Sequence, residues 1–143
     1  MEQKIVVIGA GAAGLMAAGQ AARRGRSVLM IDKNDRPARK VMVTGKGRCN
    51  VTNGCDNETF LKNIRSNPRF LYSAIAGFST ADTMEFFENL GVRLKTERGN
   101  RVFPVSDRAA DIVDALSAFA KGAGARYQKG RVEKILSGAE GVE

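Results

Sequence analysis

The chain has 143 residues, with 23 Lys and Arg against 15 Asp and Glu, and therefore a net charge of +8. A length of this order predicts one domain, here residues 1–143. The sequence contains no His, which excludes His-based catalytic triads and His zinc sites. Two Cys are too few for a Cys₄ metal site or a multi-bridge secreted scaffold. We therefore expect no metal site and a reduced, cytoplasmic environment.

An uncharged stretch at residues 5–22 raises the question of a membrane span. It contains four glycines and is otherwise rich in Ala, and glycine in the middle of a helix costs about 0.8–1 kcal/mol relative to Ala. The stretch also lacks the Leu-rich character of a spanning helix and the basic start of a signal peptide. The sequence therefore predicts no membrane association.

The first 31 residues predict a βαβ unit. Lys4–Ile8 is a short apolar run typical of a parallel strand buried on both faces. Residues 12–24 predict a helix that ends at Gly25, and residues 27–31 predict a second strand. The crossover between the two strands should be right-handed.

The remainder predicts short helices and hairpins. Residues 33–56 show no clear period, which is typical of a functional loop or of a disordered segment. Helices are expected at 59–65, at 68–77, from Ser79 through Leu90, and at 108–121 after a Ser106 cap. Strand pairs are expected at 92–96 with 101–103, and at 125–128 with 131–136. The fold class is α/β, Rossmann-like, with a small hairpin and helical addition.

The segment between the first strand and the first helix matches the dinucleotide fingerprint G-x-G-x-x-G, through Gly9, Gly11 and Gly14. Asp32 stands 18 residues after Gly14, at the end of the second strand. Gly9 would allow the tight turn, Gly11 the approach of a pyrophosphate, and Gly14 close packing of helix on strand. Asp32 would accept hydrogen bonds from a ribose and repel a 2′-phosphate, which disfavours NADP here. The alternative is a tightly packed glycine-rich helix with Asp32 as an ordinary surface residue.

A basic loop follows Asp32. Within sixteen positions it holds six cations and a single acid, Asp35, the cations being Lys33, Arg36, Arg39, Lys40, Lys46 and Arg48. Such a segment attracts anions, although a solvated basic loop is an equally good interpretation.

Three stretches resemble one known family. Residues 6–18 are similar to the start of two-domain FAD-binding flavoproteins. Residues 40–53, KVMVTGKGRCNVTN, resemble the T-G-x-G-R-C-N-x-T-N signature of bacterial YhiN/BaiN-type flavoproteins, and residues 101–107, RVFPVSD, resemble a second signature of that family. The resemblance covers essentially the whole chain and implies an FAD-dependent oxidoreductase.

The resemblance also implies site residues. Gly9, Gly11, Ala13 and Gly14 would face the pyrophosphate, Asp32 would bind the adenosine ribose, and Lys33 would lie beside the adenine. The residues running toward the flavin would be Lys40, Thr44, Gly45, Arg48, Cys49 and Asn50, and the backbone of Val132 would meet the adenine edge. No catalytic residue follows from the motifs.

Proteins of this family are much longer, with a substrate domain and a C-terminal segment that completes the flavin pocket. We therefore interpret the chain as the N-terminal part of such a protein, which passes a hydride through FAD to or from a small molecule, with NAD(P)H as a candidate donor. The alternative is a non-catalytic cofactor-binding module that needs the remainder of the protein. The charge alone would also suit nucleic-acid binding, but aromatic residues interleaved with the basic ones are not evident, and we expect no nucleic-acid partner.

Cys49 and Cys55 lie in the same loop. They suggest a thiol–disulfide flavoenzyme, because basic neighbours such as Lys46 lower thiol pKa values. The competing interpretation, which we favour, is that Cys49 packs as a small apolar residue and Cys55 is incidental.

Overall fold

The computed structural model describes residues 4–138 and 141–142. Its strands and helices, in chain order, are β1 (Lys4–Ile8), α1 (Ala12–Arg23), β2 (Ser27–Asp32), β3 (Thr52–Asn53), α2 (Asn57–Lys62), α3 (Tyr72–Gly77), α4 (Thr80–Asn89), β4 (Leu94–Glu97), β5 (Arg101–Pro104), α5 (Ala109–Gly122), β6 (Arg126–Lys129), β7 (Ser137–Gly138) and β8 (Gly141–Val142). Two 3₁₀ segments, Val41–Gly47 and Pro68–Leu71, complete the set. The chain divides into two compact units, one of Met1–Lys40 with Leu116–Glu143 and one of Val41–Ala115.

The first unit is built on a parallel sheet in the order β1-β2-β6. Ile5 pairs with Val28, and Met30 pairs with Tyr127. Leu15 of α1 and Met30 of β2 are almost fully buried. The βαβ start is confirmed, and with it the Rossmann-like α/β fold.

Helices α1 and α5 meet at a glycine in the first unit. A Cβ built on Gly19 would lie 2.2 Å from Cε1 of Phe119. The absence of a side chain there lets the ring pack directly against the α1 backbone. The Arg23 guanidinium lies 5.8 Å from the centroid of the same ring and covers it from outside.

The second unit is built on an antiparallel sheet in the order β3-β5-β4. Helix α4 begins with a capping box, in which the Ser79 hydroxyl accepts from the Asp82 amide and the Asp82 carboxylate accepts from the Ser79 amide. Phe87, Val102 and Phe103 are buried in this unit. The predicted Ser79 cap and the hairpin around residues 97–100 are confirmed.

Two expectations about strands are wrong. Residues 131–136 form no strand, and β6 has no hairpin partner there; β6 instead pairs in parallel with β2 through backbone contacts that the local sequence does not encode. Strand β1 is neither central nor buried on both faces: among the described residues it lies at the edge of its sheet, and four of its five residues are exposed. Val6 and Ile8 are each about half exposed.

Two helices also have boundaries that differ from the predicted ones. The predicted helix at 68–77 is a 3₁₀ turn followed by α3, and the one at 59–65 is α2, which ends at Lys62. Among the described residues, no helix is both long enough and apolar enough to cross a membrane.

Candidate cofactor-binding site

The loop between β1 and α1 forms an open corner at the carboxyl end of the sheet. Gly9 has a φ of +91°, and a Cβ at Gly9 or at Gly11 would meet no atom within 4 Å. Gly11 is the N-cap of α1, with no side-chain hydrogen bond to the helix and no acid in the first turn. The first amides of a 12-residue helix therefore face open space that suits an anion.

Gly14 has a different role from the other two glycines of the fingerprint. Its Cβ would lie 1.9 Å from the carbonyl oxygen of Gly9 and 3.4 Å from Cγ1 of Val7. The missing side chain lets α1 pack against the end of β1 and fixes the shape of the corner. Ala13, which follows Gly11 on α1, is exposed.

Asp32 faces the same corner. One carboxylate oxygen accepts from the amide of Ala10 at 2.8 Å, and the other accepts from the backbone and side-chain nitrogens of Asn34, both at 2.8 Å. The bond from the Asn34 amide holds the pKa of Asp32 below its usual value, against an opposing effect of burial. The carboxylate is thus ionised and placed beside the glycine loop, as recognition of a ribose requires.

Further hydrogen bonds hold Ala10, Asp32 and Asn34 in place, and they were not predicted from the sequence. The amide of Ala38 donates to the Ala10 carbonyl at 2.7 Å, and the Gly130 amide donates to the Asp32 carbonyl at 2.8 Å. The Tyr127 hydroxyl donates to the carbonyl of Asn34 at 2.5 Å. Of these residues only Asn34 could have been predicted from the sequence, because an Asp side chain commonly accepts a hydrogen bond from the backbone amide two residues later, in an Asx turn.

The other predicted residues of the first unit lie on its surface. Lys33 and Lys40 are exposed, and Val132 is partly buried in an irregular segment two residues after Gly130. Val132 therefore does not lie on a strand.

The signature loop of the second unit, residues 44–50, folds back on itself. The amide of Cys49 donates to the Thr44 carbonyl at 3.0 Å, and Gly45, Lys46, Gly47 and Cys49 all have positive φ. A Cβ on Gly45 would lie 2.9 Å from the Asn50 nitrogen and 3.2 Å from the Phe103 ring, so only glycine fits. The Asn50 side-chain nitrogen, turned toward the carbonyls of Thr52 and Val102, lies 2.8 and 3.2 Å from them.

Arg48 ties this loop to the antiparallel sheet. Its guanidinium lies 4.0 Å from the centroid of the Phe103 ring. It donates to Glu97 at 2.9 Å and to Asp107 at 3.2 Å. Lys95 bridges the same two acids, at 3.4 Å from Glu97 and 2.7 Å from Asp107. These pairs could not be predicted from the sequence, because the partners lie 49 and 59 positions from Arg48.

The network predicts acid sensitivity of the second unit. The hydrogen bond from Arg48 lowers the pKa of Glu97, and that from Lys95 lowers the pKa of Asp107. Groups whose pKa is lower in the folded state stabilise it above their ordinary values, 4.5 and 3.8, and this stabilisation is lost as pH falls through the lowered values. We expect the urea midpoint, followed by circular dichroism, to fall between neutral pH and about pH 3, and to fall less in Arg48→Gln. Arg93→Gln, an exposed arginine without an ion pair among the described residues, is the control and should keep the parental pH dependence.

Both cysteines are free, and they differ in burial. Cys49 is 5 % exposed, and burial raises the pKa of its thiol. A reactive thiol requires a lowered pKa and access to solvent, so the geometry does not favour a redox pair of Cys49 and Cys55.

Thiol titration checks this directly. With Ellman's reagent the native protein should give one reacting thiol, that of Cys55, and the second only after denaturation. Cys55→Ser should then show no reaction in the native state. Two thiols that react at similar rates in the native protein would contradict the assignment.

Among the described residues, no three His, Cys, Asp or Glu side chains are grouped so that they could hold a metal ion.

Comparison with known proteins identifies the family. The profile of the HI0933-like protein Rossmann domain matches residues 3–142. The 3-dehydro-bile acid delta(4,6)-reductase of Clostridium scindens is 32% identical over 141 residues, which are 96% of this chain and 34% of that protein. The ribosomal RNA dihydrouridine synthase of Escherichia coli is 37% identical over 112 residues, 78% of this chain and 27% of that protein.

Solved structures agree on the fold. Thermovibrio ammonificans THI4 matches 90% of this chain and 38% of its own, with a TM-score of 0.57 at 14% identity. A flavocytochrome c3 fumarate reductase in its open conformation matches 96% of this chain and 28% of its own, with a TM-score of 0.57 at 23% identity. The chain spans about a third of the length of the curated relatives it matches. With its glycine corner, the acid at the end of β2 and the match of the Rossmann-domain profile to residues 3–142, the chain belongs to the HI0933-like family.

Proposed function

We propose that this domain binds FAD and serves an FAD-dependent reductase. The observation that carries the proposal is the open corner at Gly9 and Gly11, with the Asp32 carboxylate 2.8 Å from the Ala10 nitrogen. A pyrophosphate would accept hydrogen bonds from the first amides of α1, and the adenosine ribose would donate to Asp32. The bound flavin would supply hydride transfer, while the protein positions it and excludes competing reactions.

The residues of the second unit are proposed for the flavin end of the cofactor. Thr44, Gly45, Cys49 and Asn50 lie in the folded-back loop, which offers a rigid backbone surface. Ala13, Lys33 and Val132 are proposed to contribute at the adenosine and pyrophosphate end, and Lys40 is proposed to lie toward the flavin. The Arg48 guanidinium forms ion pairs with Glu97 and Asp107, and we propose that its role is to hold the loop in place.

For the substrate of the whole protein we propose a carbon–carbon double bond conjugated to a carbonyl. A 3-dehydro delta(4,6) steroid contains such a bond, and so does the uracil ring, whose saturation gives dihydrouridine. The names of both relatives therefore point to one chemistry: hydride addition from the flavin to the carbon distal to the carbonyl, and a proton to the neighbouring carbon. A small molecule and an RNA nucleotide are both candidates, with NAD(P)H as the proposed donor.

Titration of the purified chain with FAD tests the proposal. Flavin fluorescence should be quenched on binding, ADP should compete, and FMN should not, because the corner recognises the adenosine diphosphate half. FMN binding as tight as FAD binding would overturn the proposed site.

If the chain alone does not bind FAD, the result would favour the second interpretation, a cofactor-binding module that needs the remainder of the protein. Adding the complementary two-thirds of the protein as a separate polypeptide should then restore flavin binding. Failure of the combined polypeptides to bind FAD would overturn the function itself.

A further inference from the structure

The first unit contains a pocket lined by residues of α1, β2, α5 and β6. Its volume is about 630 Å³, within the range of about 300–1,000 Å³ usual for small-ligand sites. Leu15 and Met30, both almost fully buried, contribute apolar surface, and Pro37 adds to it. Met30 pairs with Tyr127 across the parallel sheet, so both side chains lie on the same face. The wall therefore suits the apolar body of a ligand.

Several polar groups of the wall are already hydrogen-bonded. The Tyr127 hydroxyl donates to the carbonyl of Asn34, and burial raises the pKa of Tyr127, so the phenol stays neutral. The amides of Gly124 and Ala125 donate to carbonyls near the end of α5, at 2.9 and 3.0 Å. These groups have no hydrogen left to offer, so Tyr127 contributes ring surface and the two amides contribute backbone.

Ser117, by contrast, supplies a hydrogen-bonding group that the chain does not use. Its Oγ is buried and has no hydrogen-bond partner among the described residues. A serine inside a helix often donates to the carbonyl four residues earlier, but this one does not. A buried hydroxyl without a partner destabilises the folded state. An acceptor atom on a ligand in the pocket would supply the missing partner.

The charge at this pocket is positive. Lys121 lies four residues after Ser117, on the same face of α5, and its side chain is exposed. Lys121 and Arg126 both line the pocket, whereas no Asp or Glu of the described residues does. Neither cation has an ion-pair partner within the described part of the chain. An unused hydroxyl and an unpaired ammonium group on one helix face suit a carboxylate.

We propose that this pocket binds a small carboxylate with an apolar body, such as the anion of a medium-chain fatty acid. The apolar body contacts Leu15 and Met30, and the carboxylate accepts from the Ser117 hydroxyl and pairs with Lys121. A neutral ligand of the same shape leaves Lys121 unpaired, and a cation is repelled by it. The proposal does not depend on FAD binding, because none of the residues proposed for the cofactor lines this pocket.

Octanoate is the probe that tests the proposal, and Tyr127 is the reporter. The chain has no Trp and two Tyr, so the variant Tyr72→Phe keeps Tyr127 as its single fluorescent tyrosine. Octanoate should change the emission of this variant saturably. Octanol and octylammonium, which carry the same alkyl chain, should each bind at least about 10-fold more weakly, because they lack the charge-assisted hydrogen bond.

Two substitutions in the same background test the carboxylate contacts. Ser117→Ala should weaken octanoate binding by about 10- to 150-fold, the effect of losing a hydrogen bond to a charged group. It should also raise the urea midpoint of the free protein, because it removes a buried hydroxyl that has no partner. Lys121→Gln should weaken binding by about 1.5- to 5-fold, the range for an exposed ion pair.

Matched controls are Ser73→Ala, an exposed serine in α3, and Lys134→Gln, an exposed lysine of the first unit. Both should bind octanoate with unchanged affinity. Ser73→Ala should raise the urea midpoint less than Ser117→Ala does, because it changes helix propensity but removes no buried hydroxyl.

Three results would overturn the proposal. The first is the absence of a saturable response to octanoate, or an affinity that neither Ser117→Ala nor Lys121→Gln changes. The second is displacement of octanoate by ADP, which would make the pocket part of the cofactor site. The third is displacement by the complementary two-thirds of the protein, which would show that the remainder of the protein covers the pocket.

FAD titration of the same samples keeps the two proposals apart. A chain that binds FAD but not octanoate overturns the carboxylate pocket and leaves the cofactor site intact. A chain that binds octanoate but not FAD supports the pocket and counts against the cofactor site of the isolated chain.

Discussion

Gly14→Ala should destabilise the domain and abolish the proposed FAD binding. Alanine is the better helix former by about 1 kcal/mol, so propensity alone would predict stabilisation. The new Cβ would instead lie 1.9 Å from the Gly9 carbonyl oxygen, a backbone atom that cannot rotate away. Helix α1 would have to shift from β1, and we expect a loss of about 3 kcal/mol in the free energy of unfolding, the upper end for overpacking.

Urea unfolding and FAD titration measure the two effects. Gly122→Ala is the matched control, since that glycine lies in the last turn of α5 and its Cβ would meet nothing within 4 Å. It should be as stable as the parent or more so, and should bind FAD unchanged. If Gly14→Ala behaved in the same way, α1 would not be held against β1 as the structure describes.

Asp32→Ala should have the second-largest effect, on affinity. It removes the proposed acceptor for the ribose hydroxyls and the hydrogen bond from the Ala10 amide. Hydrogen bonds to a charged group contribute about 1.5–3 kcal/mol, so FAD affinity should fall by about 10- to 150-fold. The measurement is the dissociation constant for FAD from fluorescence quenching.

Asp35→Asn provides the control. Asp35 is exposed, lies three positions after Asp32 and pairs with Lys129. FAD affinity should be unchanged in this variant. As a second readout, NADP should compete with FAD less well than NAD does in the parent, because its 2′-phosphate meets the Asp32 carboxylate, and the difference should shrink in Asp32→Ala. Equal competition in the parent would show that Asp32 does not face the ribose.

The sequence was sufficient for the local parts of this domain. The glycine spacing, the acid at the end of β2 and the capping box of α4 are local patterns, and the structure has the local geometry that each of them predicts. Contacts between distant segments could not be predicted in this way. The pairing of β6 with β2 and the ion pairs of Arg48 join segments that lie dozens of positions apart, and no periodicity marks them.

The turn at residues 65–72 shows another limit of reasoning from the sequence. These residues were predicted to span the end of one helix and the start of another. A left-handed Asn67 before Pro68 turns the chain there, and the Phe70 ring is exposed to solvent. Positive φ at a non-glycine residue is set by the surrounding structure, and composition does not reveal it.

The one-sided pairing of β1 has a practical consequence for work with this polypeptide. Val6 and Ile8 present an apolar row beside backbone groups that have no strand next to them among the described residues. Edges of this kind template the addition of further strands and promote aggregation. Preparations of the isolated polypeptide should therefore turn cloudy more readily as concentration rises, and affinities are best determined in dilute samples.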